Sequence, residues 1–373
     1  MRRNSIIKRI IKNCLPYGVV GLLRKKNNST PVDPNSFMGQ YFNYIDNNSA
    51  RVSFDEDSIF STIIDIQGFG WSGSSAALDL LSEYEDTEVM GLIDRGSQAE
   101  KRVFDYEIEL FRTAGGIFEI EKFIGKISLN ANDALIHRLV LAITTSEIFL
   151  RYENLRPYFY EFFSQVVTVF SRNNDLSAFN NHLPYNGNNI KCYLKLMSVD
   201  DYHHIARRFA NTLLNKLFEG SNKKYLVADQ ICGDDQRDMF FYRNYFPNIK
   251  TIFVYRDPRD VFYDAKKYNV AWIPYEDVDS FISWYKYCMQ TFSLDGNGEY
   301  LVVRFEDLLY DYPNQVERIE KYVGLNPSQH LYPKTCLDIS VSRKNVGLWK
   351  TDKEYKEIYN QIRKELSVIC YDK

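Results

Sequence analysis

The chain has 373 residues, 45% of them hydrophobic and 15% aromatic, enough to bury a substantial core, and no low-complexity stretch argues for disorder. A formal net charge of -3 lacks the bulk positive field of a nucleic-acid binder, so basic residues matter only locally and no nucleic-acid partner is expected. The six cysteines (Cys14, Cys192, Cys232, Cys288, Cys336, Cys370) form no CxxC pair and no Cys/His spacing suited to zinc, which reads as a reduced, cytoplasmic chain with no metal.

The amino-terminal stretch MRRNSIIKRIIKNCLPYGVVGLLRKK has no acidic residue, and Lys8, Arg9 and Lys12 interrupt its apolar runs. It predicts neither a spanning helix nor a clean signal peptide. Ile6, Ile7, Ile10 and Ile11 make a stripe on a basic helix that suits either an anionic membrane surface or packing on its own domain, and both readings stay open. The membrane reading would place residues 1–26 against the inner surface of a membrane. Asn27 to Ser36 reads as a linker, which sets residues 1–36 apart from a single α/β domain at 37–373.

Short β-rich runs then alternate with helical periods. Ser61 to Ile66 predicts a strand, Ser74 to Tyr84 a helix with Ala77, Leu78, Leu80 and Leu81 on its apolar face, and Val89 to Ile93 another strand. Leu135 to Phe170 reads as mostly helical, broken near Pro157, and the polar run Arg172 to Asn189 as a surface loop or lid. Strands are expected at Ile190 to Leu196 and Tyr225 to Ala228, around a helix from Asp200 to Phe218. Lys250 to Tyr255 (KTIFVY) is continuous and apolar, as a strand buried on both faces requires, and Tyr300 to Arg304 follows the same pattern. Strands separated by helices point to a parallel sheet with right-handed crossovers.

Between the first strand and its helix lies GFGWSGSS, Gly68 to Ser75. A Gly-rich turn there gathers backbone N–H groups at a helix N-terminus, where the macrodipole also favours an anion. Gly70, Trp71, Ser72, Gly73, Ser74 and Ser75 are its candidate contacts. A nucleoside triphosphate loop would read GxxxxGK[ST], but Gly73 is followed by two serines, so an ATP-dependent phosphotransferase is disfavoured. RDPRDVFYDAKK follows the strand ending at Tyr255 and sets Arg256 at a strand's carboxyl end, where open α/β sheets bind ligands. Its fork of donors suits a phosphate; a surface network with Asp257 and Asp260 is the alternative. SRKNVGLWK adds Arg343, Lys344, Asn345 and Gly347 in a basic turn, with Trp349 as a stacking ring, or else a solvated charged loop.

Together these segments resemble the sulfotransferases that use 3′-phosphoadenosine 5′-phosphosulfate (PAPS). GFGWSGSS resembles their 5′-phosphosulfate loop, FVYRDPRDVFYDA their 3′-phosphate strand and helix, SRKNVGLWK the loop closing on the 3′-phosphate, and YLVVRFEDLLYDYPNQVERIEKYVGL a scaffold segment. The resemblance implies a P-loop-like three-layer α/β/α fold with a central parallel sheet and helical insertions. It also implies PAPS as sulfuryl donor and an acceptor hydroxyl or amine, with a glycan as the expected acceptor. Two residues depart from the pattern: Trp71 stands where a Lys or Arg is usual, and Asp264 where a 3′-phosphate-binding Ser is usual.

Sulfuryl transfer needs a base for the acceptor proton. Glu107 is the first candidate, followed by Asp94, Asp229 and His137; Arg112 and Arg95 are candidates for the cation that Trp71 does not supply. His203 and His204 have no acidic or cysteine partner at ligand spacing. Tyr152, Tyr158 and Tyr160 are candidate faces for a sugar ring. A non-catalytic nucleotide-binding or scaffold protein of the same fold, with Trp71 and Asp264 as records of lost chemistry, is the competing reading.

Overall fold

A computed structural model describes residues 35–47, 51–90, 121, 124, 129–171, 191–231, 241–290 and 293–372. The amino-terminal stripe, Glu107, Arg112, Arg95 and Asp94 lie outside these residues.

In chain order the elements are α1 (Phe37–Asp46), β1 (Thr62–Gly68), α2 (Ser74–Leu81), β2 (Thr87–Val89), α3 (Leu129–Thr145), α4 (Glu147–Arg151) and α5 (Arg156–Val166). There follow β3 (Val167–Ser171), β4 (Lys191–Leu194), α6 (Val199–Leu217), β5 (Tyr225–Asp229), β6 (Ile249–Tyr255), α7 (Pro258–Lys267) and α8 (Val278–Gln290). The last are β7 (Leu301–Arg304), α9 (Phe305–Tyr310), α10 (Tyr312–Val323), α11 (Ile339–Ser342) and α12 (Lys356–Glu365), with short 3-10 turns between them.

Five strands form one parallel sheet in the order β2-β5-β1-β6-β7. β1 is central and is buried along all but its first residue, including Asp65 and Gln67, which interrupt its apolar sequence. Alternation along the strands sends side chains to two separate cores. Ile63, Phe253 and Tyr255 face one with α1, α5, α6, α7 and α8, while Ile64, Ile66, Ile252 and Val254 face the other with α2, α9 and α10. This is the three-layer architecture expected from the alternating pattern. Among the described residues no helix is long and apolar enough to cross a membrane.

The predicted helix Leu135 to Phe170 ends early. Its last residues form β3, which pairs antiparallel with β4 in a separate two-stranded sheet. Val167, Thr168 and Val169 are β-branched, and such a run fits a pleated surface better than a helix. β4 was expected as a strand but not as part of this hairpin. Helix starts follow their chemistry: Ser198 and Asp201 make a reciprocal capping box at α6, and Asp257 caps α7 by accepting the Arg259 N–H at 2.8 Å with Pro258 in the first turn.

Candidate functional site

β1, β6 and β7 all run out at the same edge of the sheet, with the order reversing around β1. That is where open α/β sheets leave a crevice. The loop after β1 opens directly onto α2, and no side chain caps that helix. Gly73 occupies the N-cap position in the left-handed region (φ 85°), and a Cβ on it would stand 2.5 Å from the Phe305 ring. A Cβ on Gly70 would meet the Trp272 indole nitrogen at 2.7 Å. Both glycines are therefore required by neighbouring side chains as well as by any ligand. Ser72 is buried, and its hydroxyl is without a hydrogen-bond partner. Ser74 is half-buried and Ser75 exposed.

Trp71 takes a left-handed backbone (φ 67°), uncommon for a large side chain, and stacks on Tyr268 at 4.9 Å with the rings 6° from parallel. Trp71, Tyr268 and Trp272 are 37%, 54% and 69% exposed, so three aromatic side chains reach solvent around the loop, the first two stacked on each other.

Arg256 is buried at the end of β6 and connects the three motif segments. Its Nη1 donates to Asp264 Oδ2 at 2.7 Å and reaches the Trp71 carbonyl at 3.4 Å, while Nη2 donates to the Asn345 carbonyl. The guanidinium also lies over the Phe305 ring at 5.5 Å, and its Nε has no partner. Asp264 turns inward from α7 to meet Arg256. The alternative reading, a surface network of Arg256, Asp257 and Asp260, does not hold: all three are buried, and Arg256 pairs with Asp264 instead.

Asp260 accepts the Gly347 N–H at 2.7 Å and the Trp349 N–H at 3.1 Å, which ties α7 to that turn. Burial pushes Asp260 up to about 6 against the pull of Arg256 and those N–H bonds. Glu306, next to Phe305, accepts the Asp257 N–H at 2.8 Å; its other carboxylate oxygen is without a partner, and burial pushes it up to about 7. Arg259 is held by Asp257 at 2.6 Å and Asp372 at 2.9 Å and lies 4.1 Å from the Trp349 ring centre. Arg343 donates to the Leu309 carbonyl at 2.8 Å, whereas Lys344 is exposed.

The turn is anchored from a distance as well. Glu83, fully buried after α2, accepts backbone N–H groups from Lys334, Cys336 and Leu337 at 2.9, 3.0 and 2.9 Å and meets His330 Nε2 at 2.9 Å. The first βα unit thus fixes the root of the segment that carries Asn345 and Gly347.

Of the candidate bases within the described residues, Asp229 ends β5 and sits in register with Ile66, on the same sheet edge as the loop. His137 is exposed on α3. His203 does have an acidic partner: its Nε2 lies 2.7 Å from Glu121, a residue too distant in sequence for a spacing rule to find. Tyr160 is buried in the core, and Tyr152 and Tyr158 pack against it, so none of the three offers an open face. Sequence reasoning also missed Glu306, Asp65 and Gln67. The last two are buried on β1 and hydrogen-bonded to each other at 3.0 Å, and their only signal was polar residues interrupting an apolar strand.

No family model and no curated protein matches the sequence. Among solved structures, the chain is similar to the sulfotransferase domain of the Synechococcus PCC 7002 olefin synthase, at 14% identity and a TM-score of 0.39, over 86% of this chain and 100% of that one. It is also similar to sulfotransferase STF9 from Mycobacterium avium, at 10% identity and a TM-score of 0.36, over 89% and 81% of the two chains. A third is the sulfotransferase domain from the curacin biosynthetic pathway, at 13% identity and a TM-score of 0.35, over 83% and 99%.

Proposed function

We propose that this chain transfers a sulfuryl group from a nucleotide 5′-phosphosulfate, PAPS being the donor implied by the sequence resemblance, to a hydroxyl or amine of an acceptor. The observation that carries the reading is the reach of Arg256, whose guanidinium touches the Gly/Ser loop, the α7 motif and the 343–350 turn at once. Three segments picked out by sequence for one ligand converge on one edge of the sheet.

The donor supplies an activated sulfur. The acceptor oxygen or nitrogen bonds to it as the bridging S–O bond breaks, the electron pair leaves with the nucleotide phosphate, and the acceptor proton passes to a base. The protein's part is to position the two reactants and to meet negative charge with fixed donors. The uncapped N-terminus of α2 and the unspent Ser72 hydroxyl fit that part. Glu107 is the proposed base, with Asp229, at the end of β5, as an alternative. The exposed Trp272 ring, beside Gly70, suits the apolar face of a sugar ring, which supports a glycan acceptor better than the tyrosines packed in or against the core do. The enzyme acts in the cytoplasm, with residues 1–26 as a contact to the membrane surface.

Thermal unfolding with adenosine 5′-phosphosulfate, PAPS, AMP, adenosine 3′,5′-bisphosphate, and ATP with magnesium tests this. A specific ligand at 100 times its dissociation constant adds about 2.7 kcal/mol. A shift with at least one of the first four, without magnesium, is expected. A shift with ATP and magnesium alone would indicate a phosphotransferase, and none at all would favour the scaffold reading.

A further inference from the structure

Resting on the donor reading above, we propose that Asp264 makes this site select a nucleotide with a free 3′-hydroxyl, so that a nucleoside 5′-phosphosulfate is preferred over its 3′-phosphorylated form.

Arg256 lies within reach of the Trp71 carbonyl, so it borders the loop assigned to the 5′ end of the donor. The 3′ carbon belongs to the same sugar ring that carries the 5′ group, and its substituent therefore lies only one ring away from that loop. What it meets at Arg256 is a completed ion pair. Asp264 takes one guanidinium arm at 2.7 Å and the Asn345 carbonyl takes the other, and Arg256 and Asp264 are both buried.

The surrounding charges reinforce the point. The buried charged side chains on this edge are the cations Arg256 and Arg259 and the carboxylates Asp257, Asp260, Asp264 and Glu306. Asp257 and Asp372 neutralise Arg259, and Asp264 neutralises Arg256. Even with Asp260 and Glu306 held partly protonated by burial, no positive charge is left over among these buried groups. Lys266 is paired with Asp352, while Arg343, which donates to the Leu309 carbonyl, and Lys344 lie at the exposed surface of the turn rather than in this buried group. A 3′-phosphate here would set two further negative charges against Asp264 in a buried setting, where like charges repel strongly.

A hydroxyl has the opposite fit. It adds no charge and has a proton to donate to a lone pair of Asp264. Dinucleotide sites make the same choice at the ribose 2′ position, where a carboxylate accepts a hydroxyl and an arginine accommodates a phosphate.

The test is titration calorimetry of the full chain with AMP, adenosine 5′-phosphosulfate, adenosine 3′,5′-bisphosphate and PAPS, repeated on Asp264→Ser. The two nucleotides with a free 3′-hydroxyl are expected to bind about tenfold tighter or more than their 3′-phosphorylated counterparts. Asp264→Ser should reverse the preference. If the 3′-phosphorylated ligands bind the wild type as tightly or more tightly, the proposal is overturned while the donor reading stands. If none of the four binds, both fall together. Should Asp264→Ser fail to fold, the wild-type comparison decides by itself.

Discussion

The carboxylate of Asp264 meets the guanidinium of Arg256 at 2.7 Å, with side-chain exposures of 8% and 5%. A buried pair of this kind is far costlier to halve than to replace. Arg256→Met alone should lower stability by about 3–5 kcal/mol, because Asp264 is left charged and unpaired. Arg256→Met with Asp264→Leu should cost clearly less than the sum of the two single changes. Urea denaturation measures all three variants, and simple additivity would show that the pair is not coupled.

Gly73 and Gly324 share a left-handed backbone, at φ 85° and 88°, but only Gly73 has a neighbour where a Cβ would go. Alanine at either position carries the left-handed penalty of roughly 1–2 kcal/mol. Gly73→Ala should cost more than Gly324→Ala, because Phe305 stands in the way, and should also weaken nucleotide binding. Equal losses in stability would mean that Phe305 yields freely.

Glu306 gives a pH signature. Its folded value, about 7, is above the ordinary glutamate value, so the folded chain holds a proton that the unfolded chain releases at lower pH. Its contribution favours folding at low pH and is lost as pH rises from about 4 through about 7. Asp260 acts in the same direction up to about 6. Glu306→Gln should flatten the upper part of that decline, read as unfolding midpoints between pH 5 and 8. A midpoint curve identical to that of the wild type would remove the assignment.

Turnover tests the base. If Glu107 takes the acceptor proton, Glu107→Gln should spare donor affinity and lower turnover by about 100-fold or more. Unchanged turnover would redirect the search to Asp94, Asp229 or His137.

Much of this fold was legible because its strands are buried on both faces. KTIFVY and YLVVR are apolar without a break, and the structure places β6 and β7 there to within a residue or two. The three motif segments were legible through their turn chemistry and their position after strands. Other features were hidden for physical reasons. β3 needed a partner strand distant in the sequence, which local periodicity does not report. The Glu121–His203 pair and the Glu83 clamp join residues from distant parts of the chain, and an isolated Glu in sequence carries no mark of what it will meet. Asp264 was visible as a departure from a pattern, but its pairing with Arg256 was not, since a side chain's direction on a helix is settled by packing.

The Glu83 clamp also imposes an order in time. Glu83 and Leu337 are 254 positions apart, and the turn that this clamp roots also supplies the carbonyl on Arg256. At synthesis rates of about 5–20 residues per second, the ribosome needs about 13–50 s to deliver the second half of the clamp after the first. Throughout that interval the nascent chain carries a buried-type glutamate without the backbone N–H groups that bind it, and Arg256, once made, still waits for the carbonyl of Asn345. The site is therefore among the last features to form, and a chain stalled before residue 334 would present sheet and helices without a completed pocket.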